Sequence, residues 1–105
     1  MHTIQFVEEA LLDIESIILW YEEKRMGLSF DFELCLEVGI AEISRNPKAF
    51  QKRYKEVKIL FISRFPYGIH YIFKDNTIIV IGVFHTSQST KNWKNRKKLN
   101  NIMTA

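Results

Sequence analysis

Hydrophobic periodicity changes once along this chain, and that switch constrains the fold more than any motif. Up to Asn46 apolar residues recur every three or four positions; from Val57 they recur every second position. Helices followed by strands confine a chain to α+β architectures. Val7, Ala10, Leu11, Ile14, Ile17, Ile18 and Tyr21 form one apolar stripe, with Glu8 and Glu9 at the positive end of the helix dipole. Lys24-Arg25-Met26-Gly27 supplies basic residues and a glycine suited to ending that helix. A second helix is predicted from about Leu28 to Asn46, because Pro47 disfavours helical geometry at the residue before it. It carries two stripes. One is Leu28, Phe32, Cys35, Leu36, Gly39 and Ile43; the other is Phe30, Leu34, Val38 and Ala41. Two stripes imply two burial partners, a helix and a sheet.

Thr3 to Phe6 alternates and reads as a short first strand. Val57 to Ile62 is a strand, Phe65-Pro66-Tyr67-Gly68 a turn and Ile69 to Lys74 the next strand. Asp75-Asn76 is a hairpin signal, placing Tyr71 opposite Val80 and His70 opposite Ile81. Thr77 to His85 is apolar on both faces and should be an interior strand. A short helix is predicted over residues 90–99. The expected architecture is a single two-layer α+β domain over 1–105: strand 1–6, helical hairpin 7–46, three-stranded meander 57–85 and the last helix. The hairpin covers one face of a mostly antiparallel sheet, and the other face is left partly open.

Charge is divided just as sharply. Residues 1–46 hold ten acids and three bases, and residues 47–105 hold twelve bases and two acids, within a net charge of +3. The C-terminal half therefore suits an anionic partner: nucleic acid, an acidic peptide or an acidic protein surface. One cysteine, Cys35, excludes an internal disulfide framework and a cysteine-based zinc site within the chain. No metal or cofactor is expected. The longest apolar run, Ile78 to Phe84, is too short for a bilayer, which needs about 20 residues. The N-terminus has neither a basic start nor a long apolar run, so a cytoplasmic location is expected and no membrane partner.

Metal-free RNA cleavage requires a base near the 2′-hydroxyl, cations for the phosphorane charge and an acid for the leaving oxygen. Arg53, Lys55, Arg64 and His85 are chemically sufficient for that set. A solvated basic rim is the simpler account of them, because no carboxylate–His or Tyr–His spacing supports an assembled site, and enzyme activity is the weaker reading. Candidate contact residues are Leu12, Leu19, Trp20, Lys58, His70, Trp93 and Arg96. Phe30 and Leu34 are expected to pack the two helices together. For Leu12 and Leu19, packing and partner contact both stay open.

Phe65-Pro66-Tyr67-Gly68-Ile69-His70-Tyr71, then Ile79 to His85, then Trp93-x-x-Arg96 is a combination that resembles toxins of the RelE/ParE superfamily of type II toxin–antitoxin systems. Ala10, Asp13-Ile14, Trp20-Tyr21-Glu22, Leu28, Phe32, Ile43 and Asn46-Pro47 fall in the order the resemblance expects. It implies a β-α-α-β-β-β core and a small acidic antitoxin as partner. RelE-like members cleave mRNA on the ribosome, whereas ParE-like members inhibit DNA gyrase. The continuation past His85 to Trp93 looks more ParE-like. Many relatives carry Arg three residues after the His and Pro two later, where this chain has Gln88 and Thr90.

Overall fold

A computed structural model describes residues 2–88. The element order is β1 (Thr3–Phe6), α1 (Glu8–Lys24), α2 (Leu28–Arg45), β2 (Lys52–Tyr54), β3 (Val57–Phe61), β4 (Tyr67–Lys74) and β5 (Thr77–His85). The strands form one sheet in the order β1-β5-β4-β3-β2. β1 runs parallel to β5, and every other pair is antiparallel. β5 is thus interior, as its two apolar faces require. The helix predicted over 90–99 lies outside the described residues.

Local chemistry explains the joints. Gly27 takes φ 86 between the helices, a left-handed conformation that costs glycine nothing. Asp75 and Asn76 take φ 53 and 59, the positive pair that a tight hairpin needs. α2 lies so close to the sheet that a Cβ on Gly39 would sit 3.0 Å from both Ile69 and Leu60. The helix-side core joins Ala10, Ile17, Phe32, Leu36 and Ile43 to Leu60, Ile69, Tyr71, Ile78, Val80 and Val83. Tyr71 also donates its hydroxyl to the Pro47 carbonyl at 2.9 Å, fixing the end of α2.

Four features depart from the sequence reading. β2 is an extra edge strand, whose two exposed cations hide any alternation. Tyr71 does face Val80, but His70 faces Gly82, because a bulge inserts one residue between these pairs. Beside the bulge, Asp13 on α1 accepts a hydrogen bond from Val83 N–H at 3.1 Å. The far face is not open: Tyr54, Val57, Ile59, Ile72, Ile81 and Phe84 form a second buried cluster there. These residues alternate with the helix-side core, so both faces are apolar and both need cover. Finally, the stripe Phe30, Leu34 and Val38 is 71%, 56% and 64% exposed, and Leu11 is exposed as well. α2 uses only its Phe32 side for burial, and the hairpin contact does not reach the opposite side.

Candidate functional site

The β3–β4 turn and the end of β5 meet at one end of the sheet. The register sets Phe61 opposite Gly68, Gly68 opposite Phe84 and Tyr67 opposite His85. Thr86 N–H donates to the Pro66 carbonyl at 2.8 Å, tying the exit from β5 to the turn. Phe65 and Tyr67 anchor that turn by packing edge-on against Tyr21 and Phe32, with centroids 5.1–6.2 Å apart. Such rings prefer these T-shaped arrangements, so the turn is held rigidly against the helices.

His85 projects at this end, its ring 5.2 Å from that of Tyr67. Its Nδ1 receives the Ser87 backbone N–H at 3.0 Å and the Ser87 hydroxyl at 2.7 Å. Nδ1 is therefore an acceptor, and the neutral ring carries its proton on Nε2. Gln88, standing where the resemblance leads one to expect Arg, closes the same turn: its Oε1 accepts from His85 N–H, and its own N–H donates to the His85 carbonyl. Burial pushes the Tyr67 phenol up to about 12, and the neighbouring Tyr21 adds to the rise. Tyr67 is thus a neutral hydroxyl at physiological pH, able to donate a hydrogen bond but not to act as a base. The sequence reading gave Tyr67 no role, although its place in Phe-Pro-Tyr-Gly marked the turn.

The remaining sequence candidates scatter. Arg64 takes φ 72 in the β3–β4 turn, with its guanidinium 6.0 Å from the Phe65 ring. Arg53 on β2 reaches 5.7 Å from Phe61, an exposed ring at the same end of the sheet. Both contacts lie near the limit for a cation–π interaction. Lys55 lies in the β2–β3 turn, at the other end of β3, so it does not join this group. Among the described residues no hydrogen bond or ion pair joins Arg53, Arg64 and His85 to one another. Lys52 pairs with Glu56 at 2.6 Å, an exposed i,i+4 contact of little energetic weight.

Lys58 turns inward. Its amine donates to the Phe50 carbonyl at 2.8 Å and supports the loop after α2. His70, read as a contact residue, is only 1% exposed; its Nδ1 lies 2.8 Å from the Tyr54 hydroxyl, and its ring packs against Phe84. Alternation along β4 puts it on the same face as Ile72, and the far-face cluster buries it there. Leu12, Leu19 and Trp20 are about half exposed on α1. Trp93 and Arg96 lie outside the described residues. Among the described residues no three His, Cys, Asp or Glu side chains gather as metal ligands, and no helix is long and apolar enough to cross a membrane.

No protein-family model and no curated protein matches the sequence. Solved structures do. A chain of the chromosomal ParDE TA system from P. aeruginosa superposes with a TM-score of 0.71 at 13% identity, over 81% of this chain and 96% of that one. This chain has the RelE/ParE toxin fold. The intact E. coli RelBE toxin–antitoxin complex contributes a chain with a TM-score of 0.59 at 17% identity, over 84% of this chain and 100% of that one. The isolated E. coli RelE toxin gives 0.58 at 17% identity, over 94% and 99%. The β-α-α-β-β-β order read from periodicity is therefore that of these toxins, with β2 added at the edge. At such identities the likeness is one of fold, and a shared fold leaves the chemistry to be argued from the site.

Proposed function

We propose that this chain is the toxin of a type II toxin–antitoxin (plasmid stabilisation) system and acts in the cytoplasm in the ParE manner. It inhibits growth by binding a protein target such as DNA gyrase, and a cognate antitoxin neutralises it. The observation that carries this reading is the likeness to the ParDE chain over nearly all of that chain. The site supports a binding rather than a cutting role. Lys55 is remote from His85, Arg53 and Arg64 lie over aromatic rings, and the His85 Nδ1 is already engaged by Ser87. An anionic partner meets the sheet's ends and the β2 edge, where the exposed cations are, rather than a buried face.

One observation favours a second reading. Arg53, Arg64, Tyr67 and His85 share one end of the sheet, beside the exposed ring of Phe61 on which a base could stack. This would suit a RelE-like, metal-independent mRNA endoribonuclease working on the ribosome. Expression from a tightly controlled promoter separates the two. Filamentation and a DNA-damage response that persist in Arg64→Ala and His85→Ala are expected. Rapid mRNA fragmentation that either substitution abolishes would establish cleavage instead. A wild-type protein without any growth defect would reduce the chain to a non-toxic interaction module of the same fold.

A further inference from the structure

The His85 ring has one nitrogen engaged and one open. The Ser87 backbone N–H and the Ser87 hydroxyl both reach Nδ1, at 3.0 and 2.7 Å. A hydroxyl donates or accepts, so alone it would leave the tautomer open. A backbone N–H only donates. Nδ1 therefore keeps its lone pair, and the neutral ring carries its proton on Nε2. Among the described residues nothing bonds to Nε2, and the ring is half-buried. Tyr67 holds the ring edge-on, with an interplanar angle of 82°, and Gln88 Oε1 holds the His85 backbone N–H at 3.0 Å. One turn thus fixes the imidazole as a donor that lacks an acceptor.

We infer that Ser87 is a positioning residue that commits His85 to donate from Nε2, and that the acceptor is a carboxylate on the protein target. This role rests on the binding reading of the site and names the chemistry of its contact. A ring with Nδ1 occupied and Nε2 protonated has no bare nitrogen to take a proton, so it is no base for RNA cleavage. The surroundings suit an anion. Arg64 stands in the adjoining β3–β4 turn. Between residues 57 and 88 the one acid is Asp75, in the hairpin at the opposite end of β4 and β5. The helix ends that bring Tyr21 and Phe32 to the turn carry Glu22, Glu23 and Asp31, but also Lys24 and Arg25, and Glu22 is bonded to the Ser29 hydroxyl. These charges offset, so an incoming carboxylate meets His85 and Arg64 without net repulsion. A charge-assisted bond to a carboxylate is also stronger than one to a neutral carbonyl.

Proton–nitrogen NMR of the His85 ring in the full chain reads the tautomer, and the same spectra follow titration with a hexaglutamate peptide. A bare Nδ1 and a protonated Nε2 are expected, with the peptide shifting the Nε2 signal. His85→Phe keeps a ring against Tyr67 but removes the donor, and should weaken the peptide about tenfold. Ser87→Ala keeps the backbone N–H and hence the tautomer; losing the hydroxyl should cost about threefold, and Ser87→Thr should restore the affinity. Circular dichroism verifies that each variant is folded. A Ser87 that merely stabilised the turn would not change the preference for hexaglutamate over hexaglutamine. A proton on Nδ1 overturns the inference, as does peptide binding indifferent to His85 and Ser87. Hexauridylate that shifts the Nε2 signal at lower concentration than the peptide overturns it too, in favour of a phosphodiester. Gyrase inhibition alongside any of these results leaves the binding reading standing and removes only the role of Ser87. The expected spectra and affinities, found in a chain that cuts mRNA, would do the reverse.

Discussion

Phe30 and Phe32 lie two positions apart on α2, have identical side chains, and should respond to truncation by very different amounts. Phe32 is 0% exposed, stacks on Tyr21 with centroids 5.8 Å apart, and meets Phe65 and Tyr67 edge-on at 5.5 and 5.7 Å. Phe32→Ala removes the ring from the middle of that cluster and leaves a cavity that the flanking strand and helix cannot close. The expected cost is about 4 kcal/mol, within the usual range for buried Phe→Ala. A domain of this size is stable by about 5–15 kcal/mol, so the variant sits near the threshold of folding. Phe30→Ala should cost less than about 0.5 kcal/mol, because its ring is already largely in water. Urea unfolding followed by circular dichroism measures both. With a slope of about 1.5 kcal/mol/M, the Phe32→Ala midpoint should fall by about 2–3 M and the Phe30→Ala midpoint by about 0.3 M or less. Equal shifts, or a larger shift for Phe30→Ala, would refute the assignment of the buried side of α2 and with it the exposed line of Phe30, Leu34 and Val38.

Three further outcomes follow from individual contacts. Burial raises the Tyr71 phenol from 10.0 to about 12. The raised value means that its contribution is complete below pH 10 and is lost as pH climbs toward 12, and two units correspond to about 3 kcal/mol. Tyr67 adds to the same alkaline loss, and Tyr71→Phe should flatten the fall of stability across that window while weakening the fold at neutral pH by about 1 kcal/mol through the lost bond to Pro47. Gly39→Val should destabilise by about 1–3 kcal/mol in thermal melts, since its side chain would collide with Ile69 and Leu60. Leu12→Glu with Leu19→Glu should weaken binding of the neutralising partner at least tenfold in a pull-down titration, with an unchanged unfolding midpoint, because both side chains are exposed.

Much of the fold is legible in the residues because single local rules act without competition. The 3.6-to-2 switch in period, Pro47 after α2 and the Asp75-Asn76 turn each place an element where the structure has one. What escapes the sequence is what depends on tertiary cover. The Phe30 stripe has the spacing of a buried face, and spacing alone does not say whether anything lies against it. β2 is three residues long and mostly charged, so it forms only because β3 offers an edge to pair with. The bulge in β5 moves His70's partner from Ile81 to Gly82, and the burial of the far face, which the period of β4 alone does not reveal, removes His70 from the surface. The site was less legible than the fold for the same reason. Arg53, Lys55 and Arg64 look alike as a list of cations, but turn geometry takes Lys55 to the other end of β3 and lays the two arginines over Phe61 and Phe65. Tyr67, whose ring lies 5.2 Å from that of His85, carries no charge, and the sequence marks it only as part of the Phe-Pro-Tyr-Gly motif.

The toxin proposed above arrests its target by binding rather than by cutting RNA. Purified protein added to a DNA gyrase supercoiling reaction, and in parallel to ribosomes carrying mRNA, tests it directly. Loss of supercoiling with intact mRNA is the expected result. Unimpeded supercoiling, together with mRNA cleavage that disappears in His85→Ala, would contradict it.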